Sequence, residues 1–119
     1  ISFVIHANHA NELMHDEIEA LQRLLHCGIT LFNQSVLLKG VNDSATALIA
    51  LSKKLYQAGV LPYYLHMLDP VQGAMHFDVA QNRAIDILET VKSELPGYLV
   101  PRLVREKPGE TSKTAIFTI

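Results

Sequence analysis

Imidazole, amide, carboxylate and amine side chains gather at four places in this chain, each within or just after an apolar run. They are His6, Asn8, His9, Asn11 and Glu12 in HANHANE, Asn33 and Gln34 in TLFNQSVL, His66 and Asp69 in YLHMLDP, and Glu106 to Lys113 in EKPGETSK. Imidazole and carboxylate are good ligands for zinc or iron, but the spacing HxNHxNE matches no strong ligand pattern, and cap and loop duty accounts for the same side chains. A buried amide left without a partner costs about 1–3 kcal/mol, so Asn33 and Gln34 need either neighbouring backbone or a ligand, and the sequence leaves both open. Asp69, before Pro70, is either a turn former or a strand-end carboxylate that grips an ammonium group. Lys113 is by default a solvated surface lysine; the alternative is a Schiff-base lysine, a primary amine held over a pocket. His26 beside Cys27 has the types of a thiol and base pair. A helix carboxyl terminus does not activate a thiol, however, so Cys27 reads as a core cysteine.

These groups must be positioned by the elements around them, and the apolar pattern defines those elements. Three units of strand followed by helix recur at a spacing of roughly 30 residues, the length of a βαβ element with a parallel sheet. The first strand is read at Ser2 to His6 as a buried strand, followed by a helix with Met14, Ile18, Leu21 and Leu25 on one stripe and a left-handed cap at Gly28. The second strand, Ile29 to Leu38, is almost continuously apolar around Asn33 and Gln34, as in a strand covered on both faces. Asn42, Asp43 and Ser44 offer capping oxygens to a helix that buries Leu48, Leu51 and Leu55 and stops at Gly59. The third strand is Val60 to Leu68. Asp78 with Gln81 resembles a capping box, opening a helix with Ile85, Leu88 and Leu95 inward until Pro96-Gly97 breaks it. Tyr98 to Arg105 then reads as one more extended segment, Lys107 to Thr114 as a polar loop, and Ala115 to Ile119 as the start of a last strand.

The pattern defines an α/β fold with a parallel sheet, either doubly wound or an arc of a βα barrel. Residues 1–97 would form the three βα units and 98–119 a carboxyl-terminal extension of the same domain. An arc has unpaired edge strands, which invites pairing with another copy and hence a homo-oligomer. In parallel α/β folds chemistry gathers at the carboxyl ends of the strands, where the four polar groups fall.

Composition excludes several classes of function. The 119 residues are 49% hydrophobic and 18% charged, enough apolar surface for one core. Ten Lys plus Arg against twelve Asp plus Glu give no basic excess for a phosphate backbone, so no nucleic-acid partner is expected. No apolar run approaches the roughly 20 residues of a membrane span, and Cys27, the single cysteine, cannot form an internal disulfide. A cytoplasmic location with no membrane partner is the simplest expectation. The opening ISFVIHANHA has neither an initiator Met nor a leader, so the chain reads as part of something longer.

HANHANE, FNQSVLLKGVND, PYYLHMLDPVQGAMHF and GYLVPRLVREKPGETSKT together resemble the carboxyl-terminal half of the lysine 2,3-aminomutase family, over nearly the whole chain. LHMLD and REKPGETSKT are most similar to the bacterial branch that makes (R)-β-lysine for modifying elongation factor P. The resemblance implies half of a radical S-adenosylmethionine βα barrel and an isomerase that interconverts L-lysine and β-lysine. A 5'-deoxyadenosyl radical drives 1,2-amino migration on pyridoxal phosphate in that family. It further implies that Lys113 carries pyridoxal phosphate, that Asp69 and Glu106 hold the distant ammonium of the substrate lysine, and that His6 and Gln34 contact S-adenosylmethionine, with His66 near them. There are departures. Glu110, Thr111 and Ser112 replace most glycines of the family's loop, Glu106 stands where the degradative enzymes have aspartate, and His66 where they have tyrosine.

The family's [4Fe-4S] cluster is bound by a CxxxCxxC loop, and Cys27 cannot supply three thiolates. No metal site is therefore expected within this chain, and the arginine for the substrate carboxylate would also lie upstream. The piece alone is expected to be inactive and to bind pyridoxal phosphate weakly. The rival from another class is a non-catalytic α/β binding module acting through open sheet edges. A flavodoxin-like phosphate binder is weaker still, because no Gly-rich loop follows the first strand.

Overall fold

Alternation of side chains along β2 (Thr30–Leu37) sets the layout of the molecule. Leu31, Asn33, Ser35 and Leu37 are buried while Phe32, Gln34 and Val36 are half-buried, so β2 gives one face fully to the core and the other only in part. A computed structural model of the protein describes residues 1–68, 78–105 and 114–115. Asp69, Glu106 and Lys113 lie outside the described residues, as do Gly73 and the rest of the 69–77 stretch.

The sheet runs β1 (Ser2–Ile5), β2, β3 (Val60–Met67), β4 (Arg102–Arg105), β5 (Thr114–Ala115) in spatial as well as chain order. The first four strands are parallel and β5 joins β4 antiparallel. Strands in sequential order, joined by right-handed crossovers, place every crossover helix on the same side of the sheet; a doubly wound sheet needs the order to reverse. The arc of a βα barrel is therefore the architecture observed. The helices are α1 (His15–His26), α2 (Ala45–Gln57) and α3 (Gln81–Glu94).

Two adjoining clusters form the core on the helix side. Leu21 of α1, Leu51 and Leu55 of α2, Leu31 and Val60 make the first. Leu48 of α2, Ala84, Ile87, Leu88 and Val91 of α3, with Leu37, Leu65 and Leu103, make the second. Helix α2 belongs to both, so it holds the units together.

Local chemistry explains most element ends. Ser44 Oγ accepts from Ala47 N at 3.1 Å to cap α2, and Asp16 and Glu17 in the first turn of α1 face its positive end. Gly28 and Gly59 both have φ +83°, the left-handed region that stops a helix. Several expectations are corrected. The first strand is an exposed edge, with Phe3 49% and Val4 44% accessible, because β1 has a neighbour on one side only. Met14 sits at the N-cap of α1 and is 60% exposed, so the buried stripe begins at Ile18. Helix α3 has Ala80 at its N-cap with no side-chain cap bond, and Asp78 is exposed outside it. Its inward stripe is Ala84, Ile87, Leu88 and Val91, with Ile85 at the margin. Cys27 is exposed at the C-cap of α1 and is not a core residue. The far edge of the arc is not bare, since β5 pairs with β4 there.

Candidate active site

Strand β3 carries one residue more than β2 across their pairing. Asn33 pairs with Pro62 and Gln34 with Tyr64, leaving Tyr63 as a bulge. Before the bulge the even residues of β3 face the helices; after it the odd ones do, which keeps Leu65 and Met67 in the core and turns Tyr64 and His66 to the other face. On that face the rings of Phe32, Tyr63, Tyr64 and His66 follow one another at centroid distances of 5.3, 4.5 and 5.8 Å. The row ends where His66 Nε2 lies 3.1 Å from Gln34 Oε1. Gln34 and His66, picked out separately in the sequence, are thus brought together.

His6 follows the last ladder pair of β1 and β2, Ile5 with Asn33, and has an exposed side chain. Continuing the register by one residue sets it level with Gln34 and on the same face. It also borders a cavity of about 290 Å³ between the end of β1 and α1, lined by Ile5, Ala7, Leu13 and Leu21 among others.

Asn33, 1% exposed, has both ends of its amide on backbone: its Oδ1 accepts from Ala7 N at 2.9 Å and its Nδ2 donates to Ala7 O at 3.1 Å. The choice between backbone and ligand is therefore resolved differently for the two neighbours. Asn33 serves backbone, whereas Gln34 faces an imidazole. His9 and Glu12 serve the loop. His9 Nδ1 accepts from Asn11 N at 3.1 Å, and Glu12 Oε2 accepts from Asn8 N at 2.6 Å and His9 N at 2.8 Å. Among the described residues the one group with metal-ligand types in reach of one another is His15, Asp16 and Glu19, all exposed on the first turns of α1. Acids there are accounted for by the helix dipole.

Asn8 and Asn42 were not singled out for this role in the sequence. Asn8 Oδ1 accepts from Val36 N at 2.9 Å, while Asn42 Nδ2 donates to Asn8 O at 2.8 Å and Val36 O at 2.9 Å, and Asn42 Oδ1 accepts from Leu38 N at 2.8 Å. Only the abundance of Asn near strand ends hinted at such bonds, since the partners are up to 34 residues apart. Arg83 at the start of α3 reaches the same end of the sheet and donates to Asp43 O at 2.7 Å.

A parallel βα arc of this strand order, with Gln34 and His66 meeting on one of its faces, is the architecture of part of a βα barrel. No family model matches the chain. Curated relatives do. It is 54% identical over 111 residues to the L-lysine 2,3-aminomutase of Haemophilus influenzae, covering 93% of this chain and 33% of that protein. To the enzyme of the same name from Escherichia coli it is 51% identical over 116 residues, 98% of this chain and 34% of the relative. The Clostridium subterminale L-lysine 2,3-aminomutase is 39% identical over 111 residues, 93% of this chain and 27% of the relative. Over the stretch it shares with them, a carboxyl-terminal part of those proteins, the chain belongs to the L-lysine 2,3-aminomutase family. It spans about a third of the length of the first two relatives. Among the described residues no helix is long and apolar enough to cross a membrane.

Proposed function

We propose that this chain supplies the substrate-ammonium and cofactor-lysine part of an enzyme that interconverts L-lysine and β-lysine. The observation that supports this most is the continuous similarity, without change of partner family, across 93–98% of the chain. When bound, S-adenosylmethionine and its iron–sulfur cluster supply a carbon radical, and pyridoxal phosphate supplies the π-system that makes amino migration possible. The residues of this chain then hold and orient. Lys113 Nζ is the attachment point for pyridoxal phosphate, and Asp69 and Glu106 clamp the distant ammonium of lysine at a set distance from the reacting carbons. Gln34, His66 and His6 present amide and imidazole hydrogen-bonding groups on one face of the sheet, a donor and acceptor set that suits the polar groups of S-adenosylmethionine. The cluster does not fit here. The chain has one cysteine, exposed at the end of α1, so the thiolates come from elsewhere in the enzyme and the 119-residue piece alone is inactive.

Identity is 54% and 51% to the Haemophilus and Escherichia enzymes against 39% to the Clostridium enzyme, and the elongation factor P role is proposed on the resemblance of LHMLD and REKPGETSKT to that branch. The exposed β1 edge is the one feature favouring a non-catalytic docking module. Lys113→Ala in the intact enzyme separates the readings. Loss of the cofactor's absorbance and of β-lysine formation is expected, and retention of both would overturn the assignment.

A further inference from the structure

The loop after β1 is held to β2 well beyond the last backbone pair, and the hold consists of three asparagine side chains. Asn33 copies a ladder pair by gripping both the N–H and the C=O of Ala7. Asn8 takes the N–H of Val36, and Asn42, 1% exposed, ties Asn8 O, Val36 O and Leu38 N into one node. From the other side Glu12 Oε2 fixes the N–H groups of Asn8 and His9. His6 is the residue between the last ladder pair and the first clasped peptide, so its backbone is fixed on both sides while its ring stays exposed. A buried amide spent wholly on backbone gives a unique loop conformation, which a generic apolar contact would not.

We infer that Asn33, Asn8 and Asn42 form an amide clasp whose task is to aim His6 at the ligand that Gln34 and His66 also face, making them positioning residues for S-adenosylmethionine. This rests on the reading of His6 under the proposed function. The test uses the intact enzyme and measures dissociation constants for S-adenosylmethionine and for lysine separately, together with amide exchange at Val36. Asn33→Ala and Asn8→Ala should each weaken S-adenosylmethionine binding by about tenfold, the loss of roughly one hydrogen bond's worth of contact when His6 is no longer aimed, and leave lysine binding unchanged. Should Asn33→Ala fail to fold, Asn8→Ala, at a half-buried site, carries the test; Asn11→Ala in the same loop is the control that should change neither constant. In a His6→Ala background the Asn8→Ala effect should vanish, because residues acting as a unit are not additive. An Asn8→Ala enzyme with faster Val36 exchange but unaltered S-adenosylmethionine affinity would overturn the inference and leave the clasp a structural tie. If His6→Ala alone changes nothing, the role given to His6 falls first, and the inference with it.

Discussion

His66 Nε2 meets Gln34 Oε1 at 3.1 Å only because β3 carries a bulge at Tyr63. Had the register run on without it, Ser35 would pair with Tyr64, and both Tyr64 and His66 would turn toward the helices. One inserted residue therefore decides which side of the sheet receives the imidazole. Since His66 has contacts besides this one, a single substitution would mix several losses. A double-mutant cycle of His66→Ala and Gln34→Ala isolates the pair, and denaturant unfolding of the intact protein should give a coupling of about 0.5–1.5 kcal/mol. Strict additivity would mean that the pair contributes nothing.

Gly28 and Gly59 share φ +83° but not their surroundings. A Cβ at Gly28 meets nothing within 4 Å, whereas at Gly59 it would overlap Leu25 Cδ1. Gly28→Ala should then cost only the left-handed backbone penalty, roughly 1–2 kcal/mol. Gly59→Ala should cost that plus overpacking, roughly 1–3 kcal/mol more, visible as a lower denaturation midpoint. Equal losses at the two sites would show that Leu25 yields freely.

Periodicity made the helices legible in the sequence, since Leu48, Leu51 and Leu55 recur at helical spacing, whereas the second strand, read at Ile29 to Leu38, was legible only as an apolar run whose unequal faces the sequence did not show. What it could not show lies where periodicity stops. Met14 and Cys27 sit at the two caps of α1, where the helical phase no longer dictates burial, and both are exposed. The bulge was hidden because Pro62 to Leu65 offer an apolar or aromatic side chain in either phase. The asparagine bonds were hidden because their partners are distant in sequence, and the sheet order that settles arc over doubly wound is a tertiary fact. Gln34 and His66 were legible as types, but their meeting was not.

Exposure of Cys27 carries its own test. A thiol at a solvent-facing helix end contributes little to packing, so Cys27→Ser should alter stability by no more than about 0.5 kcal/mol. The native thiol should also react with a water-soluble alkylating reagent without denaturant. A protected thiol, or a large loss on substitution, would place Cys27 in an interface.

Asp69 and Glu106 are proposed to share one ammonium, and the consequence is a specific kinetic signature. Each charge-assisted hydrogen bond is worth about 1.5–3 kcal/mol, which corresponds to roughly a tenfold to hundredfold change in affinity. Asp69→Ala and Glu106→Ala in the intact enzyme should therefore raise the KM for lysine by that factor while S-adenosylmethionine binding stays as it was. A carboxylate one methylene shorter still carries the charge, so Glu106→Asp should lose less than Glu106→Ala. Steady-state kinetics with lysine varied against saturating S-adenosylmethionine reads this directly. A fall in S-adenosylmethionine affinity with lysine KM intact would move both acids out of the substrate site, because a group that grips only the far end of lysine has no means of reaching the other ligand.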